Sequence, residues 1–545
     1  MPIRMVDDPQ DQQEQNFNDN RGGGGRGPSF PVGPGRGGGG GGGLFSLLPM
    51  LFGSKGGRYL LLIGLIFIGF TYFRGGCSGG SGGSGLMDNI SSLTRGGFLD
   101  PRQFEKANIY EPLADDNSKN PLPERANLQQ FAPSVGNQGK QGSCVAWSSA
   151  FAARSILENV RTGGKQASFS PSFLYNQIGL QGCQGSYIIR AMEYMTKQGS
   201  VPYDQFPYTD RDCSRQPDMS MIKDASQYKM RGFTRLSLGD RNDKLDIRAI
   251  KENLAQGAPV VIGMMVGESF MRNMMGKDLW IPEANDRSMM GFGGHAMCVV
   301  GYDDAKYGGA FLIMNSWGPE WGVNGFGWVR YPEFNYFVRE AYGLEPMAKV
   351  GSQANLALQC EVGLVQVAYD GKKTVAQGYV PLRKVDNNLY ANTSPMRPGT
   401  RFKMEVRNSS ECYVYIYGME TDGSAYTLFP YPRQDDKSKS KYSPFCGITG
   451  ARQFPHDKSM TPDSIGTKDL FAVLVSQEAL NWFELAQLIN NQPSSNFQGK
   501  VTAAIQKGGR VANAQYSITS KGNIQFTSSP SKNEVAVMYV EIDKK

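Results

Sequence analysis

The apolar positions of this chain change their rhythm three times. Over residues 1–58 they are too few to bury anything: "RGGGGRGPSF" and "GRGGGGGGG" are little but glycine and charge, a composition that cannot offset the entropy of ordering a chain. A disordered tail is expected there, with one apolar island, "LFSLLPMLF" (Leu44 to Phe52), broken by Pro49 and suited to a membrane interface. From Tyr59 to Phe73 the run "YLLLIGLIFIGFTYF" carries no charge over 15 residues, somewhat short of the roughly 20 that cross a bilayer comfortably. Glycine-rich flanks leave it no domain to be buried in, so a transmembrane helix over 59–73 is expected in preference to a core helix. A cleaved signal is the second reading. Cys77 after "RGG" gives a third, a faint lipoprotein box. Lys55 and Arg58 precede the run and Arg74 follows it, which predicts a cytoplasmic tail and a single-pass membrane protein whose remaining chain is extracytoplasmic. Residues 74–119, opening "CSGGSGGSG", read as a linker.

Residues 120–346 mix helical periods with strand-like runs, whereas from 355 to 545 short alternating segments dominate. That change of texture marks the boundary between two folded domains, the number a 545-residue chain suggests. In the second domain "FKMEV" (Phe402, Met404, Val406) and "CYVYIYG" (Cys412, Val414, Ile416) alternate with period two, and Asp422-Gly423 signals a hairpin. "LFAVLVS" and "NEVAVMYVEI" read as further strands. One helix is expected in "EALNWFELAQLINN", with Leu480, Phe483, Leu485 and Leu488 on its apolar face. The prediction is a mostly-β, sandwich-like domain with one inserted helix.

Charge changes this picture little. The 57 basic and 50 acidic residues leave a formal net charge of +7, but they are scattered, with no basic run interleaved with aromatics, so nucleic acid is not expected as a partner. Eight cysteines without a CxxC pair give neither a disulfide scaffold nor a zinc site. No metal and no cofactor is called for. The chain has two histidines, His295 and His456.

That scarcity bears on Cys144, in "QGKQGSCVAWS". Trp147, Ala150, Phe151, Leu157 and Val160 recur at helical intervals, and the helix should end near Thr162-Gly163-Gly164. Cys144 therefore sits at a helix N-terminus, where unpaired N–H groups and the helix dipole favour a thiolate. Helix position alone favours the other reading, a small buried hydrophobe. A thiolate needs a proton partner: His295, in "GGHAMCVVGYD", lies on a buried strand, while His456 lies in a polar loop. Asn315, at the end of "FLIMNSWGPEWG", is placed to hold the imidazole, with Trp317 to cover the bond between them.

Gln138, Cys144, His295 in "GHAM" and Asn315 in "NSWG", followed by Trp321-Gly322 and "NGFGWVRY", together resemble the papain family of cysteine peptidases over residues 120–346. The resemblance implies an α+β papain-like catalytic domain with a helical left lobe and a β-barrel-like right lobe. It also implies hydrolysis of a peptide or protein substrate through a Cys144 acyl-enzyme, with His295 as acid and base, Asn315 as its orienter and Gln138 in the oxyanion hole. Gly185 and Ser186 in "CQGSYIIRAMEY" would then bond the peptide main chain, Tyr187 would border the S2 pocket, and Gly294 and Trp317 would complete the substrate-binding surface. Residues 355–545 resemble an accessory domain that often follows peptidase domains in bacteria, open to a protein or glycan ligand.

The sequence also departs from that family. Gln141 stands where the family has a disulfide cysteine, and Val145 where it has tryptophan. Cys183 thereby loses its usual partner, and Cys213 is the candidate replacement. No amphipathic helix long enough to occlude a cleft lies between Phe73 and Gln138, so latency would have to arise another way, for instance from the β domain. The same site would also serve an acyl transferase or an amidase. A binding module with a decayed site is the reading from another class.

Overall fold

The computed structural model describes residues 3–8 and 96–545, except 165–166, 239–243, 290–291, 351–356, 372, 421, 494–495 and 529–532. The expected transmembrane helix at 59–73 lies outside the described residues, as do the apolar island and Cys77. Among the described residues no helix is long and apolar enough to cross a membrane.

The first of the two large domains joins helices to a seven-stranded antiparallel sheet. After β1 (Ile3–Asp7), its strands are β2 (Arg125–Asn127), β3 (Phe233–Arg235), β4 (Val260–Val266), β5 (Gly293–Asp303), β6 (Ala310–Met314), β7 (Phe326–Arg330) and β8 (Val338–Leu344). They run in the order β3-β8-β4-β5-β6-β7, with β2 on β5. β4 and β5 are almost wholly buried, as near-continuous apolar runs require. Cys144 opens a long helix assembled from an α-turn (Cys144–Ala146), a π-helical stretch (Trp147–Arg154) and an α-helix (Ser155–Thr162), which Gly163 ends at φ 73°. This helix packs on β5. The α+β architecture is therefore as expected.

The C-terminal domain is a sandwich of two eight-stranded sheets. In Cys412–Met419, period-two alternation divides the side chains cleanly. Cys412, Val414 and Ile416 enter the core between the sheets, while Tyr415 and Tyr417 face two helices that cover the outer side. Only one helix was expected; Phe497–Gln506 is the second, burying Phe497, Val501, Ala504 and Ile505. The first, Trp482–Asn490, buries Leu485 and Ile489 and leaves Phe483 at the margin. A chain entering the helix at Asn481, its cap, fixes that rotation.

Two expectations about the ends of the catalytic domain need correcting. The tail does not begin as disordered chain: β1 pairs antiparallel with Lys458–Pro462 and extends the first sheet, Ile3 is fully buried, and Lys403 closes on Asp8 at 2.6 Å. An exposed sheet edge offers unpaired backbone groups, and a short strand satisfies them without a long apolar pattern. Nor is 96–119 a free linker. Phe104, Ile109, Tyr110 and Leu113 are buried, each in a cleft formed by other segments, which no local periodicity announces.

Candidate active site

The site is assembled where the long helix meets β5 and the end of β6. Ser143 precedes the helix, and its hydroxyl pairs with Tyr208 Oη at 2.6 Å, which in turn donates to the Gln138 carbonyl at 2.7 Å. Gln138 is buried and fixed from three sides. Its N–H donates to Ser316 O at 2.8 Å, its Nε2 donates to Gln141 O at 3.0 Å, and its Oε1 accepts from Ser316 Oγ at 2.8 Å. This network sets the loop that delivers Cys144, whose sulfur, fully buried, accepts from the Ala296 N–H at 3.5 Å. Helix start and β5 therefore meet at His295–Ala296.

Sheet register brings the remaining partners together. On β5 and β6, Cys298 lies opposite Met314; continuing that pairing past the end of β6 sets His295 opposite Trp317. The two rings stack at 4.3 Å with an interplanar angle of 21°. His295 Nε2 lies 2.8 Å from Asn315 Oδ1, with both residues buried. The same Oδ1 accepts the Ser316 N–H at 2.8 Å, which turns the amide oxygen toward the ring. The indole above keeps water from this bond, and low local polarity strengthens it. The second histidine, His456, is in the β domain, beside Asp457 at 3.4 Å.

The cleft beside Cys144 is occupied by the protein's own chain. Ser186 N–H donates to Gly96 O at 2.9 Å, Phe98 N–H donates to Ser186 O at 3.1 Å, and Gly97 N–H donates to Gly294 O at 3.2 Å. Gly97 thus forms a parallel bridge with Ser186. The Phe98 ring lies 5.8 Å from that of Tyr187. The Leu99 side chain covers Gly263 so closely that a β-carbon there would be 2.4 Å from its Cδ2. Ser186, Tyr187 and Gly294 are therefore brought together along one wall, against residues 96–98. Gly185 differs: its N–H donates to Tyr175 Oη at 2.9 Å and its carbonyl accepts from Leu180, so its backbone groups are used internally. Its contribution is space. With φ at 114°, a β-carbon at 185 would come within 2.3 Å of Gly96 O.

Sequence reasoning missed Gly96 to Leu99, Tyr208, Ser316 and Glu340. Glu340, on β8, accepts the Asp100 N–H at 3.1 Å and the Tyr342 hydroxyl at 3.3 Å. Burial pushes its carboxyl up to about 8, partly offset by those two donors. Burial likewise pushes the Tyr175 and Tyr208 hydroxyls up, so both remain neutral hydrogen-bonding groups around neutral pH. Cys183 and Cys213 are joined by a disulfide across a sequence separation of 30. Among the described residues no cluster of His, Cys, Asp and Glu is arranged to hold a metal.

A cysteine at a helix N-terminus, set against a buried imidazole that an amide orients, defines a thiol-dependent acyl-transfer enzyme. Residues 122–342 match the model of the papain family of cysteine proteases. Cathepsin L2 of Homo sapiens is 29% identical over 260 residues, covering 44% of this chain and 70% of that protein. Cathepsin K of Mus musculus is 27% identical over 227 residues, covering 41% and 64%. The crystal structure of xylellain, a cysteine protease from Xylella fastidiosa, is 25% identical, covers 47% of this chain and 98% of that one, and superposes with a TM-score of 0.38. The chain carries a papain-family cysteine peptidase domain, and it is a hydrolase of the thiol protease type.

Proposed function

We infer that the protein is an endopeptidase in which Cys144 attacks the scissile carbonyl as a thiolate. His295 protonates the leaving amine and then, as base, activates water for deacylation. Asn315 keeps the imidazole in its useful tautomer. The Gln138 amide and the Cys144 N–H receive the developing oxyanion, each such donor lowering the barrier by roughly 3–4 kcal/mol. The observation that carries this reading is the buried 2.8 Å His295–Asn315 bond beneath Trp317, with the Cys144 sulfur at the next residue of the same strand. Changing Cys144→Ala should abolish both peptide turnover and labelling by a thiol-directed epoxide; hydrolysis that persists in this variant refutes the reading. Transfer of the acyl group to an amine, or attack on a non-peptide amide, would use the same atoms, and product analysis with and without added amine separates them.

The same reading takes the chain as a bacterial variant of the family, with residues 355–545 as an accessory domain for a protein or glycan ligand. It acts outside the cytoplasm, where the Cys183–Cys213 disulfide persists. Residues 59–73 associate it with a membrane. The protein should then be recovered in the membrane fraction of cells, and recovery in the soluble fraction alone refutes the association.

A further inference from the structure

The two groups that the catalytic reading aims at the oxyanion, the Gln138 amide and the Cys144 N–H, stand six residues apart on one loop. That loop lies outside any helix or strand until Cys144, so nothing regular in its own backbone fixes the distance between its ends. It has no covalent tie either, since position 141 is glutamine. A second segment, residues 208–213, lies against it instead. Lys140 N–H donates to Asp210 Oδ2 at 3.2 Å, and Gln141 Nε2 donates to Asp212 O at 3.1 Å. The approach is close enough that a β-carbon on Gly139, whose φ is 61°, would lie 2.2 Å from Asp210 Oδ2. Asp210 and Asp212 are themselves exposed, so these contacts line the loop without enclosing it.

Tyr208 differs from its neighbours in reaching both ends of the loop at once. Its hydroxyl donates to Gln138 O at 2.7 Å. A carbonyl only accepts, so the single phenolic proton is spent there, and in the 2.6 Å contact between Ser143 Oγ and Tyr208 Oη the serine is the donor. The result is a chain of donors, Ser143 O–H to Tyr208 O–H to Gln138 C=O, in which each bond polarises the next. It runs from the residue just before the nucleophile to the residue that carries the amide, and closes the loop into a ring. The phenol is held from the side by Trp147, whose ring lies 4.8 Å away at 73°. The main chain on its C-terminal side is held too: Thr209 N–H donates to Ser172 Oγ at 3.3 Å, and Cys213 is bonded to Cys183. Tyr208 is therefore a fixed post against which both ends of the loop are set.

We propose that Tyr208 is a positioning residue for the oxyanion hole: its hydroxyl holds the Gln138 and Cys144 ends of the loop at the separation that lets both donors reach one oxygen. The inference rests on the catalytic reading above. Two donors act as a pair only when both lie within hydrogen-bond reach of the oxygen that becomes negative, and removing one such donor costs about 100- to 1000-fold in kcat. A misplacement of about 1 Å costs about 100-fold. Tyr208→Phe keeps the ring against Trp147 and leaves the contacts of Asp210 and Asp212, so it loosens the loop without removing a donor, and a loss of about 10- to 100-fold in kcat is expected. The donors are needed for the charge that develops in the transition state, so KM should change little. The nucleophilicity of Cys144 is set by the helix start and by His295, which Tyr208 does not touch.

The test uses the full chain in four forms: unsubstituted, Tyr208→Phe, Gln138→Ala and the double variant. Each is measured for kcat and KM on a fluorogenic peptide, and for the rate and pH profile with which iodoacetamide alkylates Cys144. That reagent is attacked at a saturated carbon and generates no oxyanion, so it reports the thiolate alone. Tyr208→Phe should lower kcat by the stated factor, with KM within about threefold and the alkylation profile unchanged. In the Gln138→Ala background the same change should cost markedly less, because one of the two donors it places is gone. A kcat within about threefold of the unsubstituted protein overturns the proposal; so does an alkylation rate that falls in step with kcat, or a double variant whose loss is the product of the single losses. If Gln138→Ala retains full kcat, the oxyanion assignment falls and the proposal with it; if Gln138→Ala is slow and Tyr208→Phe is not, the proposal alone falls. Should Tyr208→Phe fail to fold, Ser143→Ala decides: it cuts the link at the Cys144 end and leaves the Tyr208–Gln138 bond, so kcat should fall about three- to tenfold with alkylation unchanged, and a kcat that does not fall overturns the proposal.

Discussion

Replacing Asn315 by alanine isolates what one buried hydrogen bond does for this site. The Asn315 amide oxygen lies 2.8 Å from His295 Nε2, and Ser316 N–H, donating to that oxygen at 2.8 Å, leaves the amide no freedom to turn. Nε2 must therefore carry the proton, and the other ring nitrogen is the one available for proton transfer. In Asn315→Ala that N–H remains beneath Trp317, at a position with 0% exposure, where neither the lost oxygen nor bulk water accepts it. A hydrogen bond to a group that becomes charged contributes about 1.5–3 kcal/mol; at about 1.36 kcal/mol per factor of ten this is roughly a 10- to 150-fold loss. The loss should appear in kcat/KM for a fluorogenic peptide, with Tm recorded alongside. Asn315→Asp restores an acceptor at the same place and should recover most of the rate. A fall of less than about threefold in Asn315→Ala, or an Asn315→Asp variant no better than alanine, would refute the reasoning.

Three further outcomes follow from the packing. Cys213→Ser opens a loop of sequence separation 30 and should cost about 3–4 kcal/mol, seen as a lower Tm that the unsubstituted protein matches once reduced; equal melting under oxidising conditions contradicts this. Burial raises Glu252 to about 7 and Glu340 and Glu345 to about 8, so the folded state retains protons that the unfolded chain releases above about pH 4.5. Stability is then greatest in mild acid and declines as pH rises from about 5 to 8, and a urea midpoint that increases over this interval would contradict the assignment; Glu345→Gln should flatten the slope. Ile3→Asp places a charge in the sandwich core and should detach β1, exposing the edge amides of 458–462 to fast hydrogen exchange, and unchanged protection there would show that β1 does not hold that edge.

Much of the chemistry was legible because it depends on residue types that are scarce or spaced. With two histidines in the chain, only His295 lies on a buried strand, and the helical recurrence from Trp147 to Val160 placed Cys144 at a helix start. The pairing of β5 with β6 then converts a spacing in sequence into a stack of rings. Some of what was missed was also visible: Phe497, Val501, Ala504 and Ile505 stand at intervals of four, three and one behind the cap Asn496, an ordinary helical face. The strand at 3–7 was not, since five residues with two inward positions carry too little pattern to separate from a polar tail.

The placement of residues 96–99 in the cleft is illegible for a deeper reason. What seats it is main-chain N–H and C=O, which nearly every residue possesses, so no residue type had to be selected for binding. Selection acts instead on the absence of side chains: Gly142, Gly185 and Gly294 on the wall and Gly96 and Gly97 opposite them approach so closely that a β-carbon on Gly96, Gly185 or Gly294 would meet backbone at 2.3 Å or less. In a chain with 68 glycines, two more beside a glycine-rich tether carry no signal. Their meaning depends on where Phe104 and Ile109 are fixed, and those anchors are set by sequence more than 200 residues away, in Tyr342 and Lys441 to Ser443. The seat of this segment is specified by the assembly of two domains, and substitutions that shift it need not lie near Cys144.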